Sequence, residues 1–298
     1  MLRLRFMQLA LFTPFDQAAI QPPTGQLLKW IGNKHRFAAE IAAQFPRDFR
    51  RYFEPFLGSG AVLATLAPTR GVASDTFAPL IEIWRALVHT PEQLKVWYAQ
   101  RWQEMAHVGK VAAYEQIRAA YNARPNGADL LFLCRACYGG VVRFRKADGF
   151  MSTPCGVHDP ISPLSFARRV DEWHERVKHV EVRLADYRTA MAEAQAGDLI
   201  YCDPPYSYSQ SILYGAQAFS LRDLLERIAA CKARGVYVAV SLDGSKKSGD
   251  LFCHLELPEG LFERELLVQC GRSMLKRFQM EGQTLESEHV SDRLLLTY

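Results

Sequence analysis

The tetrapeptide Asp203-Pro204-Pro205-Tyr206 closes an apolar run, Asp198 to Cys202, and its residue types suit one chemistry. An amine on an aromatic base is a poor nucleophile because its lone pair is delocalised into the ring. A carboxylate from Asp203 and the carbonyl of Pro204, accepting the two N–H bonds, would favour a pyramidal nitrogen and expose that lone pair. The consecutive prolines stiffen the turn, each fixing φ at about −65° and donating no hydrogen bond. Tyr206 offers a stacking face for a base taken out of its duplex. Asp-Pro also begins ordinary turns, so the tetrapeptide needs company before it means anything.

That company stands upstream. Glu54-Pro55-Phe56-Leu57-Gly58-Ser59-Gly60 places glycines where a strand turns into a helix, which lets backbone approach a bound ligand closely. The third glycine of the dinucleotide fingerprint is missing, which argues against a nicotinamide-dependent oxidoreductase, and the turn is not a Walker loop. Asp75 ends the next strand, where an acid commonly holds ribose hydroxyls. Earlier still, Lys29-Trp30-Ile31-Gly32-Asn33-Lys34 brings an aromatic face and a cation that could clamp a carboxylate- and sulfonium-bearing ligand.

The elements that must position these residues alternate at both ends of the chain. LLKWIGNKHRFAAEIAAQF acquires helical spacing in its later part and ends before Pro46. RRYFEPFLGSGAVLATL reads as strand, glycine turn and helix, and Gly71 to Asp75 as a second strand. Val180 to Leu184 is a strand, followed by a helix over Tyr187 to Gln195 and a strand at Asp198 to Cys202. Ser220 opens a helix with Asp223 three residues on, a capping pattern, and Gly235 marks its stop. VYVAVSL is a buried parallel strand, and FERELLVQC and RLLLTY pair as closing strands. Between Pro79 and His179 helical periodicity dominates, around a basic, Gly-punctuated stretch, LCRACYGGVVRFRKADGFMSTPCG. The pattern predicts a doubly wound α/β, Rossmann-like domain from residues 1–78 and 180–298, with a mostly helical domain, 79–179, inserted into it.

Composition sets outer bounds. With 298 residues, 49% hydrophobic and 23% charged, the chain buries a full core without disulfides. Thirty-six basic against 32 acidic residues leave a net charge of +4, which permits a nucleic-acid partner without arguing for one. Seven cysteines lack the second pair that a zinc knuckle needs beside Cys134 and Cys137, so reduced, mostly buried thiols and no metal are expected. The N-terminal apolar run is short, interrupted by Gln8 and without a convincing cleavage site. No stretch reaches membrane-spanning length. The expectation is a soluble, cytoplasmic protein.

Taken in order, the segments resemble the Dam-type family of DNA adenine-N6 methyltransferases: K-W-x-G-x-K, then E-P-F-x-G-S-G, a helical target-recognition domain, and D-P-P-Y. The resemblance runs from about Gln26 to the C-terminus. It implies S-adenosylmethionine as methyl donor, contacted by Trp30 and Lys34, with Phe56, Gly58 and Gly60 as its floor. Asp75 would bind the ribose and Asp186 the adenine of that molecule. Asp203, itself at the cofactor, and the carbonyl of Pro204 would hold the target amine while Tyr206 stacks on the flipped base. Arg135-Ala136-Cys137-Tyr138-Gly139-Gly140 to Phe150 resembles the family's DNA-entering hairpin. There Arg135 and Tyr138 would meet the duplex, Tyr138 as a wedge, with Arg143 reading a guanine and Arg145 and Lys146 on phosphates.

The chain departs from GATC-reading relatives at Gly139 and Arg145, where they typically carry Asn, so the target sequence stays open. Double-stranded DNA is the implied partner, and a separate cognate restriction endonuclease is a further one. Asp203 favours adenine over the N4 amine of cytosine, where Ser is commoner, and over protein glutamine, where Asn is. Methylation of RNA adenine stays open. An inactive DNA-binding regulator would show a degraded Asp-Pro-Pro-Tyr or glycine turn, and both are intact.

Overall fold

A computed structural model of the chain describes residues 20–145, 147–205, 219–246, 251–252, 257–272 and 289–298. Its centre is one twisted sheet. The strands are β1 (Tyr52–Glu54), β2 (Gly71–Asp75), β3 (Val180–Leu184), β4 (Leu199–Cys202), β5 (Tyr237–Lys246), β6 (Leu251–Phe252), β7 (Arg264–Arg272) and β8 (His289–Leu296). Their order is β3-β2-β1-β4-β5-β8-β7, with β6 paired to β5. The run from β3 to β5 is parallel, whereas β8 runs antiparallel to both β5 and β7.

Strand alternation explains why this sheet has two covered faces. Successive side chains point to opposite sides, and here both sides are apolar. Tyr52, Leu199, Tyr201, Ala239, Leu294 and Leu296 enter one core. Phe53, Ile200, Cys202, Val238, Val240 and Leu295 enter the other. The second core is roofed by α8 (Tyr187–Glu193) and α9 (Leu221–Ala233). As the sequence predicts, the Ser220 hydroxyl accepts the Asp223 N–H at the start of α9, and Gly235 follows its end at φ +76°. Helix α8 stops short of Gln195, because the Gln195 N–H goes to the Asp198 carboxylate at 2.9 Å.

The first core takes most of the helices: α1 (Ala38–Ala42), α2 (Ala61–Leu66), α3 (Ala78–His89), α4 (Pro91–Val108), α5 (Lys110–Ala123), α6 (Gly127–Ala136) and α7 (Pro163–Val177). Five of these lie between β2 and β3, as the helical periodicity of 79–179 indicates. Asn126 caps α6 and Ser162 caps α7 with side-chain oxygens. The helical region and the sheet share their packing. Helix α3 lies on β2 and β3, and α7 on α2 and α3. Trp84 of α3 and Trp173 of α7, both fully buried, have ring centroids 5.9 Å apart. One continuous apolar cluster runs from Ala73 in β2 to Tyr121 in α5. Among the described residues, no helix is long and apolar enough to cross a membrane.

Candidate active site

Strand β1 has β2 on one side and β4 on the other, so the order of connection reverses beside it. In open parallel sheets a crevice forms at the C-terminal ends of the strands at such a point. A cavity of about 210 Å³ lies there. Its walls come from far apart in the chain: Trp30 and Lys34, the glycine turn after β1, Asp75 at the end of β2, Asp186 and Tyr187 after β3, and Asp203 and Pro205 after β4.

Lys34 and Asp203 meet at its heart. The Lys34 ammonium, 5% exposed, donates to Asp203 Oδ1 at 2.7 Å and Oδ2 at 2.9 Å and to the Gly32 carbonyl at 3.1 Å. Asp292 Oδ2 stands 3.5 Å from the same nitrogen. Glu54, on the cavity wall, is nearly inaccessible and accepts the Tyr52 hydroxyl at 2.5 Å. Burial, reinforced by the Asp203 charge, pushes the Glu54 carboxyl up to about 8 despite that hydrogen bond. Beneath Asp203, the hydroxyls of Tyr201 and Ser241 pair at 2.9 Å.

The glycine turn works through its backbone. The Gly58 N–H donates to Asp75 Oδ2 and the Phe77 N–H to Asp75 Oδ1, each at 3.1 Å. Burial raises the Asp75 carboxyl to about 6, while these backbone donors hold it down from going higher. Gly58 sits at φ +46°, with the Trp30 ring 3.5 Å from where a Cβ would project. The sequence reading puts Gly60 on the cavity floor; the structure gives it a packing role instead. At φ +58°, its missing Cβ would lie 2.4 Å from the Trp84 ring, and the floor consists of Gly58, Ser59 and Ala61.

An aromatic group forms the far wall. Phe56 stacks on Tyr187 with centroids 5.1 Å apart and rings 26° from parallel, and Phe219 meets Phe56 edge-on at 5.9 Å. Tyr187 is fixed by its hydroxyl on Asp223. Asp186 caps α8 by accepting the Arg188 N–H at 2.9 Å. Tyr187, Phe219, Glu54 and Asp292 are absent from the residues the sequence singles out as contacts. Glu54, at the head of the Glu54–Gly60 motif, and Tyr187, next to Asp186, carry a local signal, whereas Phe219 and Asp292 do not.

Thus Trp30, Lys34, Phe56, Gly58, Asp75, Asp186 and Asp203 converge on one cavity, and Pro204 is buried behind it. Tyr206 and Lys146, expected at the base and at phosphates, lie outside the described residues. Among the described residues, no three His, Cys, Asp or Glu side chains cluster as metal ligands.

The expected DNA-facing residues divide. Arg135 is 4% exposed, and its guanidinium donates to the carbonyls of Gln26 at 2.9 Å and Leu27 at 2.8 Å. It bolts the segment leading to Trp30 onto α6 and faces no solvent, so the expected DNA contact is withdrawn. The loop that follows is a hairpin only in outline, closed by isolated bridges Cys137↔Cys155 and Phe144↔Met151. Tyr138 and Arg143 are exposed on it. Arg145 is exposed too, held by Asp148 at 2.6 Å and lying over the Phe150 ring. Gly140, at φ +68°, leaves no room for a Cβ against Lys29, so this loop packs directly on the Lys29–Lys34 segment.

Known proteins resemble the chain over most of its length. The family described as D12 class N6 adenine-specific DNA methyltransferase matches residues 30–267. A Type II methyltransferase, M1.LlaDCHI of Lactococcus lactis subsp. cremoris, is 25% identical over 245 residues, 75% of this chain and 83% of that protein. A DNA adenine methylase of Vibrio cholerae is 28% identical over 228 residues, 72% of this chain and 79% of that one. Among solved structures, an rRNA methyltransferase from Streptomyces viridochromogenes aligns over 96% of this chain and 94% of that one. Its TM-score is 0.37 at 15% identity, too low to carry an argument.

Proposed function

The chain belongs to the D12 class N6 adenine-specific DNA methyltransferases, and from that premise we propose that Asp203, in the cavity between the ends of β1 and β4, receives the target amine. The convergence of Lys34, Asp75 and Asp203 on this one cavity, from three distant segments, is the observation that carries the reading. The activity is methylation of adenine N6 in DNA.

The walls fit S-adenosylmethionine by chemistry. Asp75 presents a carboxylate preorganised by two backbone donors, suited to ribose hydroxyls. The Phe56–Tyr187–Phe219 group offers faces for its adenine, with Asp186 at the rim. Gly58 keeps the floor clear of a side chain in front of Trp30, whose ring suits a sulfonium, and Lys34 suits a carboxylate. When bound, S-adenosylmethionine supplies an electrophilic methyl group.

The chain's own residues do the rest. Asp203 and the Pro204 carbonyl accept the N–H bonds of the target amine and leave its lone pair free. Tyr206, two residues past Pro204, stacks on the flipped base. Tyr138 and Arg143, exposed on the loop of residues 137–155, face the duplex, with Arg145 and Lys146 on its phosphates. Residues 79–179 form the target-recognition region. A DNA substrate places this work inside the cell. The Type II designation of the Lactococcus relative supports a restriction–modification setting with an independent endonuclease.

The test is single-turnover methylation by Asp203→Asn. A fall on the order of 10²–10³-fold with DNA affinity retained is expected. An unchanged rate would overturn the assignment.

A further inference from the structure

Backbone N–H and carbonyl groups that a loop buries must find partners. The loop of residues 137–155 returns on itself through isolated bridges, Cys137↔Cys155 and Phe144↔Met151. On its returning arm Met151 is fully buried and Thr153 is 4% exposed. Helix α5 supplies partners for this arm. Residues four apart share a helix face, and Tyr114, Arg118 and Asn122 follow at that interval. The Tyr114 hydroxyl donates to the Thr153 carbonyl at 2.7 Å, and the Arg118 guanidinium donates to the same oxygen at 3.1 Å. Asn122 binds Met151 as a second backbone would. Its amide nitrogen donates to the Met151 carbonyl at 3.1 Å, and its amide oxygen accepts the Met151 N–H at 2.7 Å.

The arm held in this way holds Arg143 in turn. The Arg143 N–H donates to Thr153 Oγ1 at 2.8 Å, and the Arg143 carbonyl accepts the Ser152 N–H at 3.0 Å. Thr153 Oγ1 also donates to the Val141 carbonyl at 2.9 Å. Both main-chain groups of Arg143 are therefore fixed by the arm that α5 fixes, while its side chain is exposed. Helix α5 is itself seated in the core by Tyr114, Ile117 and Tyr121. A bidentate contact to a base edge depends on where its donors stand, so the pose of this backbone bears directly on discrimination.

We propose that Asn122 and Tyr114 are positioning residues for target recognition, holding the returning arm so that Arg143 meets its base pair in register. This rests on the reading of Arg143 as a base contact of the loop. Asn122 and Tyr114 act through the main chain of residues 151–153 rather than by touching the DNA.

The test uses the full-length enzyme and competition between a duplex carrying its mapped methylation site and duplexes with single base pairs changed. Asn122→Ala should lower discrimination on the order of fivefold, the lower end of what a base contact contributes. The loss should fall at the one base pair where Arg143→Ala also lowers it, and the KM for S-adenosylmethionine should stay at the wild-type value. Tyr114→Phe, which removes only a hydroxyl, should show the same pattern and carries the test should Asn122→Ala not fold. In a double-mutant cycle, Asn122→Ala/Arg143→Ala should discriminate no worse than Arg143→Ala alone, because both substitutions act on one contact. Wild-type discrimination in either folded variant, a rate lowered equally on every duplex, or additive losses with Arg143→Ala would each overturn the proposal. Relaxed discrimination in Arg143→Ala beside wild-type discrimination in the other two would overturn this inference alone. A uniform loss in Arg143→Ala would remove the reading beneath it as well.

Discussion

Burial decides which acids around the cavity carry charge. Glu54 has an ordinary value of 4.5 that rises to about 8 in the fold, so the folded state favours its protonated form. The stability this group contributes is present below about pH 4.5 and is lost as pH rises through about 8. Glu54→Gln, which stays neutral throughout, should therefore gain stability relative to the wild type across that window, on the order of a few kcal/mol at the alkaline end. Denaturant midpoints measured from pH 5 to pH 9 check this, and parallel curves for the two proteins would refute it. Gly60 poses a steric question instead. Gly60→Ala forces a methyl into the Trp84 ring at positive φ and should cost about 2–4 kcal/mol, from overpacking plus left-handed strain. An unchanged unfolding midpoint would show that Trp84 yields freely. At this scale much was legible in the sequence, because Asp-Pro-Pro-Tyr and the Gly-Ser-Gly turn are compact motifs. Asp292 was not, since nothing local sets it apart and only strand pairing delivers it to Lys34. Arg135 was misread for its neighbourhood, although Leu131 four residues earlier and Phe132 three earlier put it on an apolar helical face.

Between motif and fold lie the elements, and here the sequence reading fared unevenly for physical reasons. β2 and β3 match their expected bounds: β2 is a short, largely buried run opening at Gly71, and β3 alternates buried Val180 and Val182 with Glu181 and Arg183, the period of two that marks a half-buried strand. Among the described residues, the loop of residues 137–155 carries two isolated bridges rather than a ladder, and Gly139 and Gly140 interrupt it with positive φ. Its position is nevertheless well determined: Arg135 grips the segment before Trp30, and Gly140 abuts Lys29. Arg143 is exposed on this anchored loop. Arg143→Ala should relax discrimination at one base pair by roughly 1–3 kcal/mol, measured by competition among variant target duplexes. A uniform loss on every sequence would instead make Arg143 a phosphate contact.

For the whole molecule, alternation at both chain ends around a helical middle foretold a doubly wound sheet, and the strand order bears that out. Sequence periodicity could not foretell how tightly the middle is joined to the sheet. Trp84, Trp173 and Tyr98 are buried in a core that also contains Tyr52 and Ala73, so residues 79–179 do not close a core of their own. Expressed alone, that fragment should keep helical circular dichroism yet melt without a cooperative transition; a sharp calorimetric transition would show an autonomous domain. The net charge is only +4, so overall charge supplies little attraction for DNA. The most direct measurement is nucleoside mass spectrometry of unmethylated DNA of mixed sequence, incubated with the enzyme and labelled S-adenosylmethionine beside an Asp203→Ala control. Labelled N6-methyladenine from the wild type and none from the control is the expected result. Labelled N4-methylcytosine alone, no labelled base at all, or equal N6-methyladenine from both proteins would contradict it.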